Sequence, residues 1–138
     1  MIGANPSQIY LFKAEGALKG ARALLAIEEC DGACSRAYYA MFDAARAALL
    51  HFQPDSSGAR AKTHKGLISA FGQHIIVTAI LPVEFGSAFG TVEKMRLLAD
   101  YTGDEMDIAS AARAVELAET FVAAVKAKLA LISPPAPV

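Results

Sequence analysis

The sequence predicts an all-α fold, an up-and-down bundle of four to five antiparallel helices. Three observations carry that prediction. Twenty-nine of the 138 residues are alanine, which has the highest helix propensity and lets helix backbones approach closely. Apolar residues recur at intervals of three and four through five long segments, the spacing of one helical face. β-branched residues are scattered, and their one dense run is Ile75-Ile76-Val77-Thr78. The connections between the segments are short, which makes successive helices antiparallel neighbours. With 54% hydrophobic and 20% charged residues, the chain is apolar enough to bury one core as a single domain over residues 1–132. Residues 133–138, with three prolines, read as a disordered tail.

The first helix is expected from Pro6-Ser7, with Ser7 as cap, to about Glu29, on a stripe of Ile9, Phe12, Leu18, Ala21 and Leu25. Asp31-Gly32 is the expected break. The second spans about Ala33 to His51, with Tyr38, Phe42, Ala45 and Leu49 on one face, and residues 53–62 form a loop. Thr63 is a cap for a third helix from His64 to about Ile80, which Leu81-Pro82 interrupts. The fourth runs from about Pro82 to Asp100. After a loop at 101–106, Asp107 caps a fifth helix carrying Ala111, Val115, Ala118, Val122, Val125 and Leu129, which ends near Ile132. Gly16/Gly20 and Gly86/Gly90 are spaced one turn apart, where glycine's cost inside a helix of about 1 kcal/mol implies a packing reason.

A net charge of −1 supplies no global field for nucleic acid or anionic lipid, so any such contact needs a local cationic site. Cys30 and Cys34 are too few for a disulfide framework and lack a compact four-ligand spacing with His51 or His64, so reduced thiols and no metal or other cofactor are expected. Neither a signal-peptide pattern nor a convincing membrane span is present, which points to the cytoplasm.

No Gly-rich phosphate loop, zinc-protease motif or nucleophile elbow occurs. Two clusters remain. On the second helix, Arg36, Tyr39, Asp43 and Arg46 recur at three and four residues and share a face. At the end of the fourth, Arg96 and Asp100 stand one turn apart, with Tyr101 just beyond. Both clusters read in two ways. Arg36 and Arg96 are either half-buried cations satisfied by Asp43, Asp100 and tyrosine hydroxyls, or parts of an anion site, since planar guanidinium forks and phenolic donors suit phosphate.

Four motifs, in order and spacing, carry a resemblance across about residues 8–130. They are Ser35-Arg36-Ala37-Tyr38-Tyr39-Ala40-Met41-Phe42, Thr63-His64-Lys65-Gly66-Leu67-Ile68, Leu81-Pro82, and Arg96-x-x-Ala99-Asp100-Tyr101. Together they resemble the small stand-alone HEPN family (higher eukaryote and prokaryote nucleotide-binding). The resemblance implies a helical bundle that works as a homodimer, with the helices carrying Arg36 and Arg96 near the two-fold axis. It also implies a minimal nucleotidyltransferase encoded beside the chain, the two forming a toxin–antitoxin pair.

Active members are metal-independent endoribonucleases with an arginine, four to six residues, then a histidine. The arginine stabilises the phosphate, and the histidine assists attack by the ribose 2′-hydroxyl. Arg96 matches the arginine, but position 101 is tyrosine, whose ordinary pKa near 10 makes it a poor base at neutral pH. The resemblance therefore implies a degenerate Arg96/Tyr101 pair, with Arg36, Tyr39, Arg96 and Asp100 lining a groove for a nucleotide or RNA phosphate. In related pairs the partner attaches AMP to a HEPN tyrosine, and Tyr101 is the nearest match. Two alternatives stay open. One is an active ribonuclease in which His64 or His74 completes the site, and the other is a non-catalytic dimeric interaction module.

Overall fold

The computed structural model describes residues 5–131, so the expected tail and the end of the last helix at Ile132 lie outside the described residues. Five helices follow one another: α1 (Pro6–Ala26), α2 (Cys30–Phe52), α3 (His64–Phe71), α4 (Val83–Thr102) and α5 (Ile108–Leu131). No strand occurs among the described residues. α2 is the axial helix, packed by α1, α5, α4 and α3. Its alanines Ala33, Ala37, Ala40, Ala44, Ala45 and Ala47 are fully buried, which brings the neighbouring backbones close. Phe71, Phe89 and Phe121 interlock from α3, α4 and α5, with ring centres 5.3–5.8 Å apart.

Several local expectations change. Asn5, not Ser7, caps α1: its Oδ1 accepts from the backbone N–H of Ser7 at 2.9 Å and from the Ser7 hydroxyl at 2.8 Å. The buried face of α1 is Leu11, Ala14, Leu18 and Ala21, while Ile9 and Phe12 are 45% and 78% exposed. Apolar residues cover more than half of this helix, so periodicity alone could not choose. The small side chains face the alanine-rich α2, where close approach favours them. Asp31 and Gly32 do not break the chain but lie in the first turn of α2. The break comes earlier, at Glu28, whose φ of 60° is left-handed. There Glu28 N–H donates to the Leu25 carbonyl and Glu29 N–H to that of Leu24, a Schellman ending with glutamate where glycine is usual.

Thr63 does cap α3, accepting from the Gly66 N–H at 3.0 Å. The helix does not reach Ile80: it widens into a π turn over Gly72–Ile76 and leaves helical geometry at Ala79, with φ 61°. The β-branched run falls in that turn and just after it. Gly103, at φ 73°, ends α4 two residues later than expected. Asp107 caps α5 through the Ser110 N–H at 2.7 Å, as expected, and all six predicted core residues of α5 are buried. The Met106 N–H donates to Asp31 Oδ1 at 3.0 Å, tying the α4–α5 turn to the start of α2. Of the helical glycines, Gly20 backs onto Arg36 and Gly86 onto Ile76, while Gly16 and Gly90 face open space.

Candidate functional site

The two arginine clusters have different fates. On α2, Arg36 lies along α1, its Nε 3.6 Å from where a Cβ on Gly20 would sit. Asp43 is half-buried; burial raises its carboxyl above the usual range, and Lys13, Arg36 and Arg46 hold it down. Arg46 donates to the Ala59 carbonyl at 3.1 Å and to that of Ala61 at 2.7 Å, and its guanidinium stacks on Tyr10 and Phe42 at 5.5 Å. This cluster closes the 53–62 loop against α1 and α2.

Arg96 is held differently. Its guanidinium lies over the ring of Tyr38, with Cζ 4.6 Å from the ring centre. Nη1 donates to Asp100 at 3.0 Å, but that carboxylate is 58% exposed. Arg96 Nε is buried and has no hydrogen-bond partner. A buried donor without an acceptor is costly and rare enough to require a reason.

Tyr38 links Arg96 to a residue 32 positions earlier in the chain. Its hydroxyl lies 3.0 Å from His64 Nδ1, and the imidazole stacks on the phenol at 29° between planes. His64 also meets the rings of Tyr39 and Phe42, at 5.6 and 4.8 Å. The Thr63 cap fixes this placement by starting α3 at His64 against α2. Tyr38 is fully buried. Burial pushes its phenol up to about 12, with Glu93 adding to the rise and the Arg96 guanidinium opposing it. The phenol therefore keeps its proton. The Tyr38 hydroxyl and His64 Nδ1 share one hydrogen bond, and the imidazole tautomer sets which of them donates.

The sequence placed Tyr101 beside Arg96, and the helix separates them. Five residues amount to about 140° of rotation; Tyr101 is 84% exposed and lines a surface hollow with Lys94, Leu97 and Leu98. Of the expected groove residues, Arg96, Asp100 and Tyr39 fall in or beside the Tyr38–His64 cluster, and Arg36 belongs to the other. Of the residues in this cluster, sequence reasoning left out Tyr38 and named His64 only in the alternative of an active ribonuclease. Both stood inside quoted motifs, but Tyr38 read as a core position and His64 as a distant histidine. Cys34, one turn before Tyr38, is buried too. Burial pushes its thiol up to about 11, with Asp31 adding and Arg96 opposing, so it stays protonated.

The profile of the HEPN domain matches residues 7–128. The chain is 38% identical over 120 residues to UPF0332 protein glr0978 of Gloeobacter violaceus, covering 80% of this chain and 91% of that one. It is 31% identical over 116 residues to a Methanocaldococcus jannaschii protein bearing the name Putative toxin MJ0605, covering 84% and 83%. The chain belongs to the HEPN-domain family.

Proposed function

We propose that this HEPN protein is the toxin-side member of a pair with a small nucleotidyltransferase. It binds a nucleotide or RNA phosphate at the Tyr38–His64–Arg96 cluster and has little or no ribonuclease activity. The observation that carries the reading is the surplus of donors: the unpartnered Nε–H of Arg96 and an Nη engaged only by an exposed carboxylate, with the His64 ring held nearby through Tyr38. A phosphate can displace Asp100 cheaply, because exposed ion pairs contribute about 0–1 kcal/mol. The name of the Methanocaldococcus relative supports the toxin side, and the exposed Tyr101 hydroxyl suits modification by a partner enzyme.

Catalysis is the weak point of the cluster. Attack by a 2′-hydroxyl needs a group that takes its proton; Tyr101 is turned away from Arg96, and His64 Nδ1 is already engaged by the Tyr38 hydroxyl. General-base assistance is worth about 10² to 10⁴ in rate, so cleavage should stay near background.

A second reading, an active ribonuclease, is favoured by one observation: His64 does reach the tyrosine that Arg96 overlies. Cleavage of a mixed RNA pool by the wild type, Arg96→Ala and His64→Ala decides between them. The first reading expects little cleavage by all three. Robust wild-type cleavage lost in both variants would replace it with the second.

The homodimer remains part of the proposal. Ile9 and Phe12 on α1, Ile27 just after it, and Val83, Leu98 and Tyr101 on α4 are large and exposed, which leaves apolar surface for a second copy. Light scattering should report a dimer at micromolar concentration, and a monomer would remove this part of the reading. No helix among the described residues is long and apolar enough to cross a membrane.

A further inference from the structure

A groove of about 510 Å³ opens between α1, α2 and the 53–62 loop, lined by Pro6, Tyr10, Arg46, Leu50, Ala59, Arg60, Ala61 and Lys62. Three of these residues are cationic, one is aromatic, and none is a carboxylate. Such composition is unusual on a chain whose net charge is −1, with Asp55 in the same loop and Asp43 beside Arg46 as the nearby carboxylates. Glu28, Glu29, Asp31, Asp104, Glu105 and Asp107 gather where the α1–α2 and α4–α5 turns meet, as the Met106–Asp31 bond shows. In an up-and-down bundle the loop after α2 lies at the opposite end.

The groove is also braced. Arg46 spends two N–H groups on the Ala59 and Ala61 carbonyls, and Arg60 donates to the Pro54 carbonyl at 2.7 Å. These bonds hold the loop backbone while leaving further guanidinium donors uncommitted among the bonds just named. Lys62 is exposed. Tyr10 is half-buried, and the Lys13 ammonium 5.2 Å from its ring ends a flexible exposed side chain that can give way to a base.

We infer that this groove is a second binding site, taking a single-stranded polynucleotide with phosphates on Arg60 and Lys62 and a base against Tyr10, while Arg46 braces the loop. Cations that track a backbone beside an aromatic platform are what sequence-tolerant single-strand binding requires. The loop leaves the groove at Lys62 and starts α3 at His64 two residues on, at most about 7 Å between Cα atoms. A strand in the groove therefore lies next to the Tyr38–His64–Arg96 cluster. The two sites share no residue, so each can fail without the other.

The test is fluorescence anisotropy across a salt series, using labelled mixed-sequence single-stranded RNA, the same sequence as single-stranded DNA, duplex RNA, and polyglutamate as competitor. The wild type should bind single strands of RNA, DNA or both in preference to duplex. Arg60→Glu/Lys62→Glu, both on exposed side chains, should weaken binding about tenfold or more, with circular dichroism confirming the helices. Losing two phosphate contacts should flatten the slope of log affinity against log salt by about 1.4. Tyr10→Leu should weaken binding about fivefold to tenfold. Lys126→Ala, which removes an exposed cation outside both sites, should stay within about twofold. The inference is overturned if the wild type binds no single strand, if the double variant binds like the wild type, or if polyglutamate competes as well as RNA. The last result would make the occupant an acidic protein.

Discussion

Arg46 and Arg96 are the same residue in similar company, and they differ in what is left over. Each guanidinium stacks on a tyrosine, Arg46 on Tyr10 and Arg96 on Tyr38. Arg46 gives two bonds to the Ala59 and Ala61 carbonyls, at the end of the short 3-10 turn over Ser57–Arg60. Arg96 gives one to an exposed aspartate and leaves its buried Nε empty. A guanidinium bonded twice to a loop backbone is a clamp; one with a buried, unpartnered N–H is a place for an anion. Residue type and spacing do not separate these cases, and the state of the donors does.

That contrast is easiest to break through stability. Arg46→Ala should cost about 2–4 kcal/mol in denaturant unfolding, since it removes two charge-assisted bonds and orphans two carbonyls. Arg96→Ala should cost only about 1 kcal/mol, because its ion pair is exposed and its stacking modest. Equal losses would erase the distinction. The clamped loop sharpens the first half. Gly58 packs so tightly on α3 that a Cβ there would meet the Ala70 Cβ at 2.2 Å, and neither group can swing away. Gly58→Ala should therefore destabilise by about 1–3 kcal/mol, and an unchanged midpoint would show the loop to be loosely held.

The second half can be probed with pH. The Tyr38 phenol is raised from 10 to about 12 in the folded chain, so the unfolded chain ionises first as pH rises. Its contribution is fully present below pH 10 and is lost between 10 and 12, with a size of about 3 kcal/mol. Tyr38→Phe should remove that part of the alkaline destabilisation. A variant whose stability falls as steeply as the wild type's over that window would show that Tyr38 is not the group responsible.

The fold was legible because its determinants are local. The alanine content, the periodicity of α5 and the caps Thr63 and Asp107 each act within one or two turns. What was misread depends on neighbours or on single backbone angles. The buried face of α1 is chosen by α2, and the end of α1 is made by Glu28 in a left-handed conformation that glycine usually takes. The site was half legible. Arg96 and Asp100 pair at one turn, as spacing said. Tyr101 looked adjacent in sequence, yet five residues turn it away, and His64, 32 positions from Arg96 in sequence, arrives because α3 starts against α2. Contacts between helices carry no local signature in a single sequence.

The most direct test of the phosphate site follows the His64 ring by ¹H–¹³C NMR while AMP is added to the wild type, Arg96→Ala and Tyr38→Phe. The His64 signals should shift with AMP in the wild type, and the shift should be lost in Arg96→Ala and reduced at least severalfold in Tyr38→Phe, while His51 and His74 stay still in all three. AMP binding that leaves the His64 signals in place, or moves them equally with and without Arg96, would contradict the assignment of Tyr38, His64 and Arg96 to one site.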